Sequence, residues 1–125
     1  MQLARIEQIA MPVRDLGRAT AFYRDQLGMK LLFEVPPQLA FFDCNGVRLA
    51  LSISSDAMYD PPGSIVYYRV PVIEAAHAEL EGRGVEFLRG PHKVAELGDV
   101  EIWMAFFEDT EGNTLALTSE KPVAK

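Results

Sequence analysis

The chain has 125 residues, which suffices for one compact domain with a hydrophobic core but not for two independent ones. Apolar residues make up 49% of it and charged residues 24%, as in an ordinary globular protein, and no apolar run approaches the roughly 20 residues that span a bilayer. The formal net charge of −6 disfavours nucleic acid and anionic membranes as partners, and the single Cys44 excludes an intramolecular disulfide.

The first half of the chain predicts a strand, a helix and three further strands. Residues 6–13 alternate between apolar and polar, as in a half-buried strand. Asp15 can cap a helix with apolar positions at helical spacing, and Gly28 supplies its stop. Residues 29–35 predict a second strand, and a hairpin from about 39 to 54 completes a βαβββ module.

The second half predicts the same order of elements. The predicted segments are a strand at 65–70, a helix at 73–84, a short strand at 85–88, a polar loop at 89–98 and a closing hairpin at 100–107 and 114–119. The whole is predicted to be one domain, divided into module one at 1–57, a linker at 58–63, module two at 64–119 and a frayed tail at 120–125.

The two halves repeat one hairpin signature. Each hairpin has a Phe-Phe pair and an acid, a turn closed by glycine, and then Leu-Ala-Leu followed by a hydroxyl residue. In the first half this segment is 41–52, and in the second it is 106–118. The helix positions Val13, Leu16 and Ala19 also have counterparts at a constant offset, so the chain is a duplication of one module.

These motifs resemble those of a known superfamily. They are Val13-Arg14-Asp15-Leu16, Ala21-Phe22-Tyr23-Arg24, Leu27-Gly28 and the turn Phe107-Glu108-Asp109-Thr110-Glu111-Gly112-Asn113. Together they resemble the vicinal oxygen chelate superfamily, which contains glyoxalases, bleomycin-resistance proteins and extradiol dioxygenases. The resemblance implies an α+β fold in which two βαβββ modules form a curved mixed sheet of about eight strands. It also implies helices on the convex side, a ligand on the concave side and a homodimer.

The same resemblance assigns four positions to the metal ligands of the superfamily. They fall on Gln8 and Ala50 in the first module and on Ile65 and Ala116 in the second. A divalent metal requires several lone-pair donors, and Ile and Ala supply none. We therefore expect neither a metal nor another cofactor, and Lewis-acid chemistry at this position is not expected.

Strand parity, combined with the resemblance, predicts a small-molecule site in place of the metal. Small side chains at Ala50 and Ala116 leave room, and apolar and aromatic residues surround them. The predicted ligand-binding residues are Gln8, Phe41, Arg48, Ala50, Ser52, Ile65, Tyr67, Arg69, Met104, Phe106 and Ala116. The alternative for the two alanines is that they only allow close packing within the sheet.

A few further residues carry chemistry that the sequence leaves open. His92 follows Gly90-Pro91 and could act as a general base, as could Glu101, although a solvated loop histidine is the simpler interpretation. Arg48 and Arg69 could bind a carboxylate or phosphate, or could be ordinary exposed arginines near strand ends. Parity places Trp103 on the packing face, and a bulge would reverse this.

The sequence therefore favours a metal-independent protein that binds a small apolar or aromatic molecule. The alternative is an enzyme of the superfamily, a lyase, isomerase or dioxygenase with a non-standard site that uses Glu101 or His92 as base. A third possibility is a regulatory subunit with an occluded cleft. The expected partners are a small-molecule ligand and a second copy of the chain, without nucleic acid or membrane. The N-terminus lacks a signal-peptide pattern, so a cytoplasmic location is expected.

Overall fold

The chain folds as two repeats of one order of elements, seen in a computed structural model that describes residues 1, 3, 6–53 and 65–123. The first repeat contains β1 (Gln8–Pro12), α1 (Leu16–Ala21), a π-helical turn (Phe22–Gln26), β2 (Lys30–Val35), β3 (Leu39–Cys44) and β4 (Val47–Ser52). The second contains β5 (Val66–Arg69), α2 (Ile73–Gly82), β6 (Phe87–Leu97), β7 (Val100–Glu108) and β8 (Thr114–Pro122). No helix of the described residues combines the length and hydrophobicity needed to span a bilayer.

Within the described ranges the strands form two four-stranded mixed sheets with the same topology. Their orders are β1-β4-β3-β2 and β5-β8-β7-β6. In each sheet the first strand of the repeat pairs in parallel with the last, and the other pairings are antiparallel. The predicted α+β fold with two βαβββ modules is confirmed.

The chain divides into two compact units. Unit 1 comprises Met1–Ser64 together with Asp109–Asn113, and unit 2 comprises Ile65–Glu108 together with Thr114–Lys125. The segment Asp109–Asn113, which connects β7 to β8 along the chain, therefore belongs to unit 1. The predicted linker at 58–63 lies outside the described residues.

The core of unit 1 forms between its helix and one face of its sheet. Asp15 caps α1 as predicted, because its Oδ1 accepts from the Arg18 backbone N–H at 3.1 Å. The π-helical turn follows directly, and its tyrosine, Tyr23, is 0% exposed and lies 5.8 Å from the ring of Phe42. Gly28, with φ of 72°, ends the helical segment as expected.

The buried carboxylate of Asp109 holds the segment Asp109–Asn113 within unit 1. Its Oδ2 accepts from the hydroxyl of Tyr23 at 2.8 Å and from Nδ2 of Asn113 at 2.9 Å. Its Oδ1 accepts from the backbone N–H groups of Glu111 at 2.8 Å and Asn113 at 2.9 Å. The Asn113 amide also donates to the carbonyl of Pro12 at 3.1 Å. Four donors thus offset the cost of removing the Asp109 charge from water.

The core of unit 2 lies between α2 and the corresponding face of its sheet. Ile73 and Leu80 are the buried residues of the helix. On the sheet, the ring of Phe87 lies 5.1 Å from that of Phe107 and 4.4 Å from the imidazole of His77. His77 therefore packs beside the core, and its Nε2 lies 3.5 Å from Glu81 one helical turn later.

The predicted polar loop at 89–98 is wrong, because this segment continues β6. The strand runs along the sheet edge and pairs with β7, with register shifts that leave Gly90 and Pro91 unpaired. An edge strand tolerates proline because its missing N–H need not join a ladder, and bulges absorb the extra residues. The Gly-Pro pair therefore marks an interruption within a strand, where the sequence pattern indicated the end of one.

The predicted frayed tail also needs correction. β8 extends to Pro122, with Glu120 paired to Ile102 and Lys121 paired to Glu101, and the Val123 N–H donates to the Asp99 carbonyl at 2.9 Å. Polar residues on a strand that is half exposed resemble a disordered tail in sequence, since both carry charges. Residues 124–125 lie outside the described part of the chain.

Removal of the Tyr23 hydroxyl should destabilise the protein measurably. We expect Tyr23→Phe to lower the free energy of unfolding by about 1–3 kcal/mol, because it takes a donor from a buried carboxylate. Urea unfolding followed by circular dichroism measures the change. Tyr67→Phe is the matched control, since Tyr67 is 49% exposed and should change stability by less than about 0.5 kcal/mol. Equal effects of the two substitutions would contradict the role assigned to Asp109.

Candidate functional site

Each sheet has one face toward its helix and an opposite face, here called the open face. In unit 1 the contact of Tyr23 with Phe42 identifies the helix side. Since side chains alternate along a strand, the neighbours of Phe42 point the other way. Cross-strand pairing groups the predicted residues of this unit on the open face, which carries Gln8, Phe41, Arg48, Ala50 and Ser52.

An aromatic pair dominates the open face of unit 1. The rings of Phe33 and Phe41 have centroids 4.6 Å apart and are inclined by 30°. Phe33 is 48% exposed although it is a large apolar side chain. The guanidinium carbon of Arg48 lies 5.8 Å from the centroid of Phe41, within the range of a cation–π contact.

Phe33 is a residue of the open face that the sequence pattern did not predict there. Leu31 pairs with Phe42 on the helix side, and simple alternation would put Phe33 on that side as well. A register shift between Leu31 and Phe33 reverses the parity, so that Phe33 pairs with Phe41 on the open face. The sequence at 31–33 does not predict the bulge, because it contains neither glycine nor proline.

The two alanines lie at the centres of their sheets and are buried. Ala50 is 2% exposed and pairs with Ala10 and Phe41, and Ala116 is 0% exposed and pairs with Tyr67 and Phe106. Neither alanine has exposed surface that a ligand could contact. The packing interpretation that the sequence left open therefore applies to both, and the accessible groups of each open face are their larger neighbours.

The open face of unit 2 carries the remaining predicted residues. The ring of Tyr67 lies 6.5 Å from that of Phe106, and Met104 follows on the same face of β7. Ile65 immediately precedes β5 and is exposed. Arg69 is also on this side, but its Nη2 lies 3.4 Å from Oε1 of Glu120, so its charge is already paired.

His92 joins this face because of the bulge around Gly90. It pairs with Met104, and its imidazole lies 6.0 Å from the ring of Phe106. Its Nδ1 lies 2.8 Å from the carbonyl oxygen of Gly90. A carbonyl only accepts hydrogen bonds, so Nδ1 carries a proton in this contact, and of the two neutral tautomers only the one with Nε2 as acceptor fits it.

Glu101 lies on the opposite, helix-side face, together with Trp103. The Trp103 indole donates to Oε1 of Glu101 at 2.9 Å, and Nζ of Lys121 lies 4.0 Å from the indole centroid. This hydrogen bond lowers the pKa of Glu101, and the nearby Lys93 ammonium lowers it further. A carboxylate with a lowered pKa is a weak base near neutral pH, so Glu101 is poorly suited to proton abstraction. Trp103 is a packing residue, as parity predicted.

The residues at the four family metal positions do not fit a metal. In unit 1, Gln8 has one neutral amide, and Ala50 on the paired strand β4 has no donor. In unit 2, neither Ile65 nor Ala116 has a donor. Elsewhere in the described ranges, no group of three or more His, Cys, Asp or Glu side chains is arranged to hold an ion.

An apolar groove of about 590 Å³ lies away from these residues, at the start of α2. It is lined by Val70, Pro71, Val72, Ala75, Ala76 and Glu79. A single carboxylate at its edge provides little polar specificity. None of the predicted ligand-binding or catalytic residues lines this groove.

Comparisons with known proteins match nearly the whole chain. A family model described as Glyoxalase/Bleomycin resistance protein/Dioxygenase superfamily matches residues 5–117. Among solved structures, a lactoylglutathione lyase from Agrobacterium tumefaciens is 21% identical, with 94% of this chain and 95% of that chain covered and a TM-score of 0.78. A virulence protein from Salmonella typhimurium is 17% identical, with 95% and 98% covered and a TM-score of 0.79. A superfamily member from Sphaerobacter thermophilus is 22% identical, with 94% and 98% covered and a TM-score of 0.77. At these identities the structural likeness is one of fold.

The contact between Glu101 and Trp103 should be visible as a pH-dependent fluorescence change. Trp103 is the only tryptophan, so its emission reports this site alone. Because the pKa of Glu101 is lowered, its carboxylate stays ionised and bonded until the pH falls below the usual range of a glutamate. We expect an emission change with an acidic midpoint below that range, recorded where the far-ultraviolet circular dichroism is constant. Glu101→Gln should abolish it, and a persisting transition in that variant would assign the change to another group.

Proposed function

Because the chain belongs to the glyoxalase, bleomycin resistance protein and dioxygenase superfamily, we propose that it binds a small apolar or aromatic molecule without help from a metal. The observation that carries this proposal is the contact of Phe33, which is exposed, with Phe41, which is half-buried, on the open face of unit 1. Exposed aromatic surface is unfavourable in water unless a partner covers it. The absence of donors at Ile65, Ala50 and Ala116 supports binding that does not depend on a metal.

The chemistry of the face indicates what kind of molecule it favours. Two inclined rings in contact offer a third ring offset-stacked or edge-to-face geometry. Gln8 and Arg48 at the edge of this apolar area supply a few hydrogen-bond donors that orient a ligand. Affinity alone is sufficient for sequestration, so such a protein needs no catalytic group. The homodimer and the cytoplasmic location expected from the sequence stay predictions.

A neutral fluorescent aromatic, phenylnaphthylamine, tests the proposal. We expect it to bind with enhanced emission, and Phe41→Ala to weaken binding about tenfold, because about 1–2 kcal/mol of apolar burial is lost. Val72→Ala, which removes an exposed apolar side chain in the α2 groove, is the control and should bind as the wild type does. Loss of binding in Val72→Ala with full binding in Phe41→Ala would move the site to that groove and contradict the proposal.

A second candidate function follows from the hydrogen bond of His92. With its proton on Nδ1 and donated to Gly90, the imidazole is held in one tautomer beside Phe106. Its Nε2 could then take a proton from a carbon acid bound on the open face of unit 2 and return it to a neighbouring carbon. This would make the protein an isomerase that moves a proton without a metal. We keep it as the alternative, with His92 in place of Glu101 as the base.

The tautomer of His92 can be measured by nitrogen-detected NMR of the two imidazoles. We expect Nδ1–H with a bare Nε2 for His92, and assignment by comparison with a His92→Asn variant. The same samples are tested for exchange of the acidic protons of phenylacetone with deuterium from the solvent. His92→Asn keeps a donor for Gly90 but has no base, so it should lose any acceleration, while His77→Asn should retain it. A proton on Nε2, or equal exchange rates in all three proteins, would exclude the enzymatic alternative.

A further inference from the structure

We infer that the ligand of unit 1 carries an anionic group and that Arg48 recognises it. The inference rests on the proposed function, which it makes more specific: the ligand class becomes planar aromatic molecules with a carboxylate, sulfonate or comparable oxyanion. Arg48 lies on β4 in register with Gln8 on one side and Asp43 on the other. It therefore stands on the same face as the aromatic pair of Phe33 and Phe41.

The guanidinium of Arg48 has no acceptor in the described part of the chain. It makes no hydrogen bond or ion pair there, and its only contact with a ring is that with Phe41. Its Nε is withdrawn from solvent and has no hydrogen-bond partner among these residues. No described residue neutralises the guanidinium charge, and the buried Nε restricts the side chain to this position, so a negative oxygen at the two Nη groups would be a favourable partner.

The neighbouring acid, Asp43, does not pair with the Arg48 guanidinium. Asp43 is directly across from Arg48 on β3, and its Oδ1 accepts from the backbone N–H of Gly46 at 3.1 Å in the hairpin turn. Asp43 lies beyond ion-pair distance of the Arg48 guanidinium. The carboxylate thus stabilises the turn between β3 and β4 and leaves the arginine available.

Arg69 on the open face of unit 2 shows the opposite arrangement. Its side chain is 71% exposed and its Nη2 lies 3.4 Å from Glu120, so solvent and a carboxylate already satisfy it. The two arginines have the same charge and face the same way in their repeats. Only Arg48 combines partial burial, an aromatic neighbour and an unsatisfied N–H group.

These features select the chemistry of the ligand. A planar oxyanion can take two parallel hydrogen bonds from the two Nη groups of a guanidinium, which a hydroxyl or an amide cannot. An aromatic body attached to that group would lie over Phe33 and Phe41. The net charge of −6 of the chain opposes anions at long range, so the preference must come from this contact.

A matched pair of probes tests the inference. Anilinonaphthalene sulfonate is phenylnaphthylamine with an added sulfonate, so the two differ in the anionic group alone. We expect the wild type to bind the sulfonate about tenfold more tightly or better, and Arg48→Met to abolish this difference while it keeps its affinity for phenylnaphthylamine. Arg69→Met is the control for the loss of one positive charge and should retain the full preference.

The outcomes separate this inference from the proposed function. Equal affinity of the wild type for the two probes, or the same loss in Arg48→Met and Arg69→Met, would overturn the anionic ligand and leave aromatic binding intact. Failure of the wild type to bind either probe would overturn both. If Arg48→Met does not fold, Arg48→Lys decides instead. It keeps the charge without the planar fork, and we expect it to lose most of the preference, since an ammonium cannot bind a planar oxyanion through two parallel bonds.

Discussion

The burial of the Asp109 carboxylate constrains two distant parts of unit 1 at once. A charge removed from water must find donors, and this one requires the hydroxyl of Tyr23, the amide of Asn113 and two backbone N–H groups. Those donors come from the π-helical turn after α1 and from a segment more than eighty residues later. The position of the helix over its sheet and the conformation of that segment are therefore determined together. The ring of Tyr23 also packs on Phe42, and the neighbouring Phe41 belongs to the aromatic pair on the other side of the same sheet.

Local patterns in the sequence predicted much of this fold because they report on single physical requirements. Asp15 and Gly28 indicated the ends of the helical segment, since one supplies a cap and the other tolerates a positive φ. The repeated Leu-Ala-Leu strands predicted the parity of β4 and β8. That parity correctly placed Phe41, Arg48 and Trp103, because alternation holds wherever a strand is regular.

The other features of the fold and of the site depend on strand irregularities that cannot be predicted from composition. A bulge in β2 moved Phe33 to the face opposite that of Leu31, and bulges in β6 turned a predicted loop into an edge strand. The position of a bulge depends on the register between two neighbouring strands, and the sequence of one strand alone does not determine that register. The tautomer of His92 is a further case, because it depends on a carbonyl that the bulge at Gly90 brings near. Site details therefore arose from the places where the strands are least regular.

The register shift in β2 also has an evolutionary meaning. A bulge is one extra residue, so the loss of the Phe33 codon would restore simple alternation and place Leu32, instead of an aromatic ring, opposite Phe41. Ligand choice could then change among descendants of this gene by insertion or deletion, with every other amino acid preserved. A strand at the sheet edge can accept such a change because it disturbs one neighbour only. Length variation in this short stretch is thus a route by which one scaffold could acquire new chemical preferences.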